Sequence, residues 1–259
     1  MDARSEPRTD DPLTGRFDVW QLERGHRYSL DDVLTAREAL RAAPSAERVL
    51  DLGCGIGSVL LMEAHVLESA RLVGVEAQSV SFGLARENVA RNGQDHRVTL
   101  IHGDLRDPSV RAAADAAGGP FDLISGTPPY MPPGTSTPSP HPQRAHARIE
   151  LRGGVEDYLA AMASLLASGG RAVVCCGGRH PERALDGGRE VGLRPLRRLD
   201  AVPRAGRDPL FSVFTFGGPE SVGPFVHAEP FVARDAAGQR TEGYVALRRF
   251  FGLPRRRTS

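Results

Sequence analysis

The stretch Arg48-Val49-Leu50-Asp51-Leu52-Gly53-Cys54-Gly55-Ile56-Gly57 decides how the rest of the chain is read. Val49, Leu50 and Leu52 make an apolar run that predicts a strand. Three glycines at alternate positions then predict a tight turn whose bare backbone can approach a ligand, and the apolar spacing over 56–69 predicts a helix. Working outward, the same strand–helix alternation recurs. Strands are predicted over 71–76, 98–101, 121–125 and 172–176. Helices are predicted over 80–92, closed by Gly93, and over 155–167, ending at Ser168-Gly169-Gly170. Two later runs, 193–202 and 210–216, read as a closing β pair. Nearly continuous apolar strands alternating with helices mean an α/β fold, a doubly wound, buried parallel sheet. Such sheets bind ligands beyond the carboxyl ends of their strands, so strand-end residues carry the chemistry.

A glycine turn alone is shared by nicotinamide, flavin and S-adenosylmethionine sites, and three features decide among them. The spacing is GxGxG and not GxGxxG. Asp51, two residues before the first glycine, would repel a pyrophosphate and attract the ammonium of a methionine moiety. Glu76 ends the second strand, where a carboxylate can accept from both ribose hydroxyls. Asp104, in His102-Gly103-Asp104 after the third strand, is placed to accept from an adenine amino group.

The fourth strand runs into Ser125-Gly126-Thr127-Pro128-Pro129-Tyr130. An amino group on a heteroaromatic ring is a poor nucleophile because its lone pair is delocalised. Two acceptors holding its two N–H bonds leave the lone pair facing a methyl donor. Thr127 supplies one acceptor and the Pro128 carbonyl the other, its direction fixed by the proline rings. The Tyr130 ring can stack on a planar target. The prolines continue to Pro142, a stretch long enough to serve as a lid or binding loop.

This pattern resembles the class I S-adenosylmethionine-dependent methyltransferases, specifically at the glycine loop and over about 49–216. The resemblance implies a Rossmann-like seven-stranded doubly wound sheet whose last strand is antiparallel, and S-adenosyl-L-methionine as cofactor. The Thr-Pro-Pro-Tyr loop is similar to the Asn/Asp/Ser-Pro-Pro-aromatic motif of amino methyltransferases, which act on adenine, cytosine or glutamine amide nitrogens. A narrower resemblance extends from about Gln21 to Tyr244. Gly25-His26-Arg27-Tyr28-Ser29-Leu30-Asp31, Arg144-Ala145-His146-Ala147-Arg148-Ile149-Glu150 and, more weakly, Phe231-Val232-Ala233-Arg234 with Thr241-Glu242-Gly243-Tyr244 look like the bacterial family that methylates adenine N6 in valine tRNA. That family has Asn where this chain has Thr127.

The resemblance assigns Asp51, Gly53, Gly55, Glu76, Asp104 and Thr127 to the cofactor, with Arg27 and Asp31 completing its lid. Thr127, Pro128 and Tyr130 hold the acceptor. It implies a helical cap over 1–46, a methyltransferase domain over 47–218 and an appendage over 219–259. The expected acceptor is an adenine in tRNA or other RNA. The alternatives are a protein glutamine, a small molecule, or a non-catalytic cofactor-binding module.

Composition bounds these readings. The 259 residues carry a formal charge of +1, so no broad positive field gathers nucleic acid at long range. All the basic residues are Arg, and those at 144, 148, 152, 248, 249 and 255–257 are candidates for a local patch. No apolar run is long enough for a membrane span, and the first residues are polar, unlike a signal peptide. Cys54, Cys175 and Cys176 form no CxxC and read as reduced thiols in a cytoplasmic protein. The eight histidines show no metal-ligand spacing, so no metal is expected. Phe17 and Trp20 read as packing residues.

Overall fold

The computed structural model describes residues 6–134 and 139–253. Part of the proline stretch and the arginines at 255–257 lie outside the described residues. The chain opens on a hairpin of β1 (Arg8–Pro12) and β2 (Asp18–Leu22), followed by α1 (Leu30–Ala42). The alternating core follows as β3 (Arg48–Leu52), α2 (Ser58–Val66), β4 (Arg71–Glu76), α3 (Ser79–Arg91), β5 (Val98–His102), α4 (Pro108–Gly118) and β6 (Phe121–Gly126). Then come α5 (Pro142–Arg148), α6 (Val155–Leu165), β7 (Leu166–Gly177), α7 (Glu182–Glu190), β8 (Arg194–Val202) and β9 (Phe211–Gly217). Two short strands, β10 (Val226–His227) and β11 (Phe231–Val232), precede α8 (Glu242–Phe250).

The central strands lie in the order β5-β4-β3-β6-β7-β9-β8. The first five are mutually parallel, and β9 runs antiparallel to both β7 and β8. This is the expected seven-stranded sheet with its last strand reversed. Beyond the expectation, β10 and β11 extend the sheet by pairing parallel with β8. The chain winds from β3 through β4 to β5 on one side, then crosses back to β6 on the other side of β3. That reversal opens a crevice at the carboxyl ends of the strands.

Side chains alternate between two cores because successive strand residues face opposite sides. Val49 of β3 joins Val173, Cys175 and Val213 under α1 and α2. Leu50 and Leu52 join Ala172, Val174, Cys176 and Phe214 under α6. The adjacent cysteines therefore sit in different cores, each a buried free thiol. Each wholly buried Phe on β9 contributes about 1.5–3 kcal/mol over its exposed state, so the reversed strand is a main anchor of both layers.

The region expected as a helical cap is only partly helical, since residues 8–22 form the hairpin. Its polar sequence hides the pairing, but Val19 and Leu22 are buried. Asn88, wholly buried on α3, fastens it: its amide oxygen accepts from Trp20 N at 2.7 Å, and its nitrogen donates to Trp20 O at 3.1 Å and Ile56 O at 3.0 Å. Phe17 is buried and Trp20 lies under the Arg91 guanidinium, 4.4 Å from its ring centre, so both pack. The fifth predicted strand starts earlier than expected, at Leu166. Among the described residues no helix is long and apolar enough to cross a membrane.

Candidate active site

Four strand ends meet at one cleft, with about 870 Å³ of empty space, part of it open solvent. Gly53 and Gly55 after β3, Glu76 at the end of β4, Asp104 after β5 and Thr127 after β6 all line it. The sequence placed these residues far apart, and the doubly wound order brings them together. The turn has its needed backbone freedom: Gly53, Gly55 and Gly57 have φ of 65°, 57° and 86°, a region that residues with a Cβ rarely enter.

Glu76 is the fixed point of the cleft. Its Oε2 accepts from Gly55 N at 2.9 Å and its Oε1 from Gln78 N at 2.6 Å, so the carboxylate is held by backbone. Burial pushes its pKa up, and the backbone bonds oppose that shift. Asp51 does not line the cleft. It lies wholly buried beneath, accepting from Leu60 N at 3.2 Å and Ser125 Oγ at 3.3 Å. Burial and then the Asp32 charge raise it well above the usual carboxylate range. Asp104 is different: the Arg106 guanidinium hydrogen-bonds it at 2.7 Å and holds its pKa low.

Four more expected site residues stand off the lining. Arg27 turns to the hairpin, where it pairs with Asp11 at 2.8 Å and donates to Thr9 Oγ1 at 2.6 Å. Asp31 accepts from the Tyr130 hydroxyl at 3.3 Å, and the Tyr130 ring packs over Gly177. Pro128 is buried behind the lining, which its neighbour Pro129 reaches instead. Among the described residues no protein donor bonds the Thr127 hydroxyl, on a residue of the lining, or the carbonyl of Pro128 just behind it.

The cleft also gathers residues the sequence reading passed over. His26 and Tyr28 line it from the segment before α1, on either side of Arg27. Asp32, not Asp31, reaches it from α1, accepting from Ser29 N at 2.8 Å and Ser58 Oγ at 3.1 Å. Burial and the neighbouring Asp31 charge push Asp32 up to about 7. Gln143 and His146 cover it from α5, Arg152 from the following turn and Tyr158 from α6. Burial lowers the pKa of both histidines, which favours their neutral form. The Arg residues at 144, 148 and 152 were visible as a cluster, but no spacing signal pointed to Asp32 or Tyr158.

These residues fit S-adenosylmethionine. Asp32, Asp51 and Glu76 are buried carboxyls, and among the described residues none is in an ion pair. A ligand carrying an ammonium and a sulfonium supplies the missing positive charge. Among the described residues no group of three or more metal-binding side chains is found.

Comparison with known proteins points the same way. A family model described as a methyltransferase domain matches residues 49–127, the segment from the first core strand to Thr127. A tRNA1(Val) (adenine(37)-N6)-methyltransferase of Bacteroides thetaiotaomicron is 28% identical over 244 residues, 92% of this chain and 95% of that protein. A release factor glutamine methyltransferase of Geobacter sulfurreducens is 41% identical over 102 residues, but these are 39% of this chain and 33% of that protein. The crystal structure of a predicted O-methyltransferase from Agrobacterium tumefaciens superposes with a TM-score of 0.65 at 18% identity, covering 88% of this chain and 100% of that one. That likeness speaks for the fold. With the glycine cradle, the reversed last strand and the matched domain in agreement, the chain carries a methyltransferase domain and has the fold and cleft of a class I S-adenosylmethionine-dependent methyltransferase.

Proposed function

We propose that the protein methylates N6 of an adenine in RNA, tRNA first, in a cytoplasmic setting. The observation that carries the reading is the pair of unengaged acceptors at the end of β6, the Thr127 hydroxyl and the Pro128 carbonyl, beside the cofactor cleft. The near full-length similarity to a tRNA adenine-N6 enzyme supports the choice of acceptor.

Glu76 would hold the cofactor ribose, Gly53 and Gly55 would admit its backbone-side face, and Asp51 and Asp32 would supply negative charge beneath its cationic end. Asp104 would face the adenine. The cofactor supplies a methyl group already activated by positive sulfur. Thr127 Oγ1 and Pro128 O accept the two N–H bonds of the exocyclic amine and turn its lone pair toward that methyl. Transfer would form the nitrogen–carbon bond and leave the electron pair of the broken sulfur–carbon bond on sulfur. The nitrogen then loses one proton, for which the neutral His146 and His26 rings on the cleft wall are acceptors. The protein's contribution is alignment and polar stabilisation, with no strong base needed.

The test supplies isotope-labelled methyl donor with unmodified tRNA and, separately, a release factor protein. Label recovered as N6-methyladenosine after nuclease digestion is expected. Thr127→Val, which keeps the shape and loses the acceptor, should slow that transfer about a hundredfold. Label in a protein glutamine and none in RNA overturns the reading and favours the acceptor of the release factor enzymes.

A further inference from the structure

Tyr158 occupies a position that nothing in the glycine-loop or proline motif accounts for. It sits on the first half of α6, only 7% exposed, with its ring wedged between the ends of two neighbouring strands. Glycines on both sides make room for it. A Cβ at Gly126 would come within 2.8 Å of Tyr158 Cδ1, and a Cβ at Gly53 would overlap its hydroxyl. The side chain therefore spans from the residue before Thr127 to the first glycine of the cofactor turn.

Its hydroxyl is the informative atom. Tyr158 lines the cleft, and among the described residues no protein group hydrogen-bonds that hydroxyl. A buried tyrosine O–H ordinarily finds a partner, so an unengaged one facing a ligand cleft is a donor reserved for the ligand. Its surroundings are acidic, with Glu76, Asp51 and Asp104 acting on it, and together with burial they keep the phenol protonated. It can therefore donate. The same carboxyls offer acceptors in abundance to an ammonium. A ligand carboxylate among them has greater need of a donor.

We propose that Tyr158 is a cofactor-positioning residue whose hydroxyl donates a hydrogen bond to the amino-acid carboxylate of the bound cofactor, at the Gly53 end of the cleft. The proposal rests on the cofactor assignment above. It gives Gly53 a second purpose, since the turn must be bare for the ring as well as for the ligand. It also ties cofactor placement to acceptor placement, because one ring touches both Gly53 and the residue preceding Thr127.

Calorimetry on the full chain tests it with Tyr158→Phe and two ligands. S-adenosylhomocysteine carries the amino-acid end, and 5′-methylthioadenosine lacks it. The Phe ring keeps the contacts with Gly53 and Gly126. The expected result is about a tenfold to hundredfold loss of affinity for S-adenosylhomocysteine, the range for one hydrogen bond to a charged group. Affinity for 5′-methylthioadenosine should be unchanged, which also shows that the variant is folded. Equal losses toward both ligands, or no loss toward either, overturn the proposal. Failure of the unmodified protein to bind S-adenosylhomocysteine would instead overturn the cofactor assignment itself.

Discussion

The three glycines of the turn are not equivalent. Gly53 and Gly55 both have positive φ, but a Cβ at Gly55 would meet nothing within 4 Å, whereas one at Gly53 would strike the Tyr158 hydroxyl. Gly55→Ala should therefore cost only the left-handed backbone penalty, about 1–2 kcal/mol. Gly53→Ala should cost more, and combining it with Tyr158→Phe should recover part of the excess. Urea unfolding of the ligand-free proteins checks both. At this scale the sequence was informative about residue type and weaker about direction. It located the segment before α1 and the first turn of α1 as part of the site, then chose Arg27 and Asp31. The structure turns His26, Tyr28 and Asp32 to the cleft. Adjacent residues on an extended segment point opposite ways, and adjacent helix residues lie about 100° apart. Which of two neighbours faces inward depends on where the hairpin docks, and no local pattern records that.

Among elements, α1 responds to pH. Asp32 ties its first turn to α2 through Ser58, and its pKa rises from 3.8 unfolded to about 7 folded. Asp31 on its own helix adds to the rise, and Asp32 in turn raises Asp51 beneath it. A carboxyl raised on folding favours the folded state below its unfolded pKa, and that contribution is lost as pH climbs through the folded value. Asp32→Asn should thus gain on the wild type between pH 5 and pH 7, by at most about 1.4 kcal/mol per unit, as read from melting temperatures of the ligand-free proteins. The elements legible in the sequence were those that obey one period throughout: β3, β4, β5 and β6 as apolar runs, and α3 and α6 as stripes. The short α7, with sequence ERALDGGRE, was not legible. Its two glycines read locally as breakers at roughly 1 kcal/mol each. Yet Gly188 faces Phe216 so closely that a Cβ would overlap the ring, so tertiary packing demands what helix propensity opposes.

For the whole molecule, the charge of +1 means that any RNA grip is local. Arg144 and Arg148 are exposed and their charges act on His26 at the cleft. Reversing both to Glu should raise KM for tRNA about tenfold and flatten the salt dependence by about two ion equivalents, while S-adenosylhomocysteine affinity holds, as titrations across salt concentrations will show. The doubly wound sheet was readable from the alternation of strands and helices, whereas its reversed last strand was implied by the resemblance to the methyltransferases. The hairpin and α8 were not, since their partners lie most of the chain away. Gly15 N donates to Phe251 O at 2.7 Å, and Phe251, wholly buried, shares a core with Leu13 and Phe17. A two-stranded hairpin is marginal alone. During synthesis at about 5–20 residues per second, the hairpin waits on the order of ten seconds or more for the segment that seals it. Until then its apolar side is exposed on the ribosome, where a chaperone would find it.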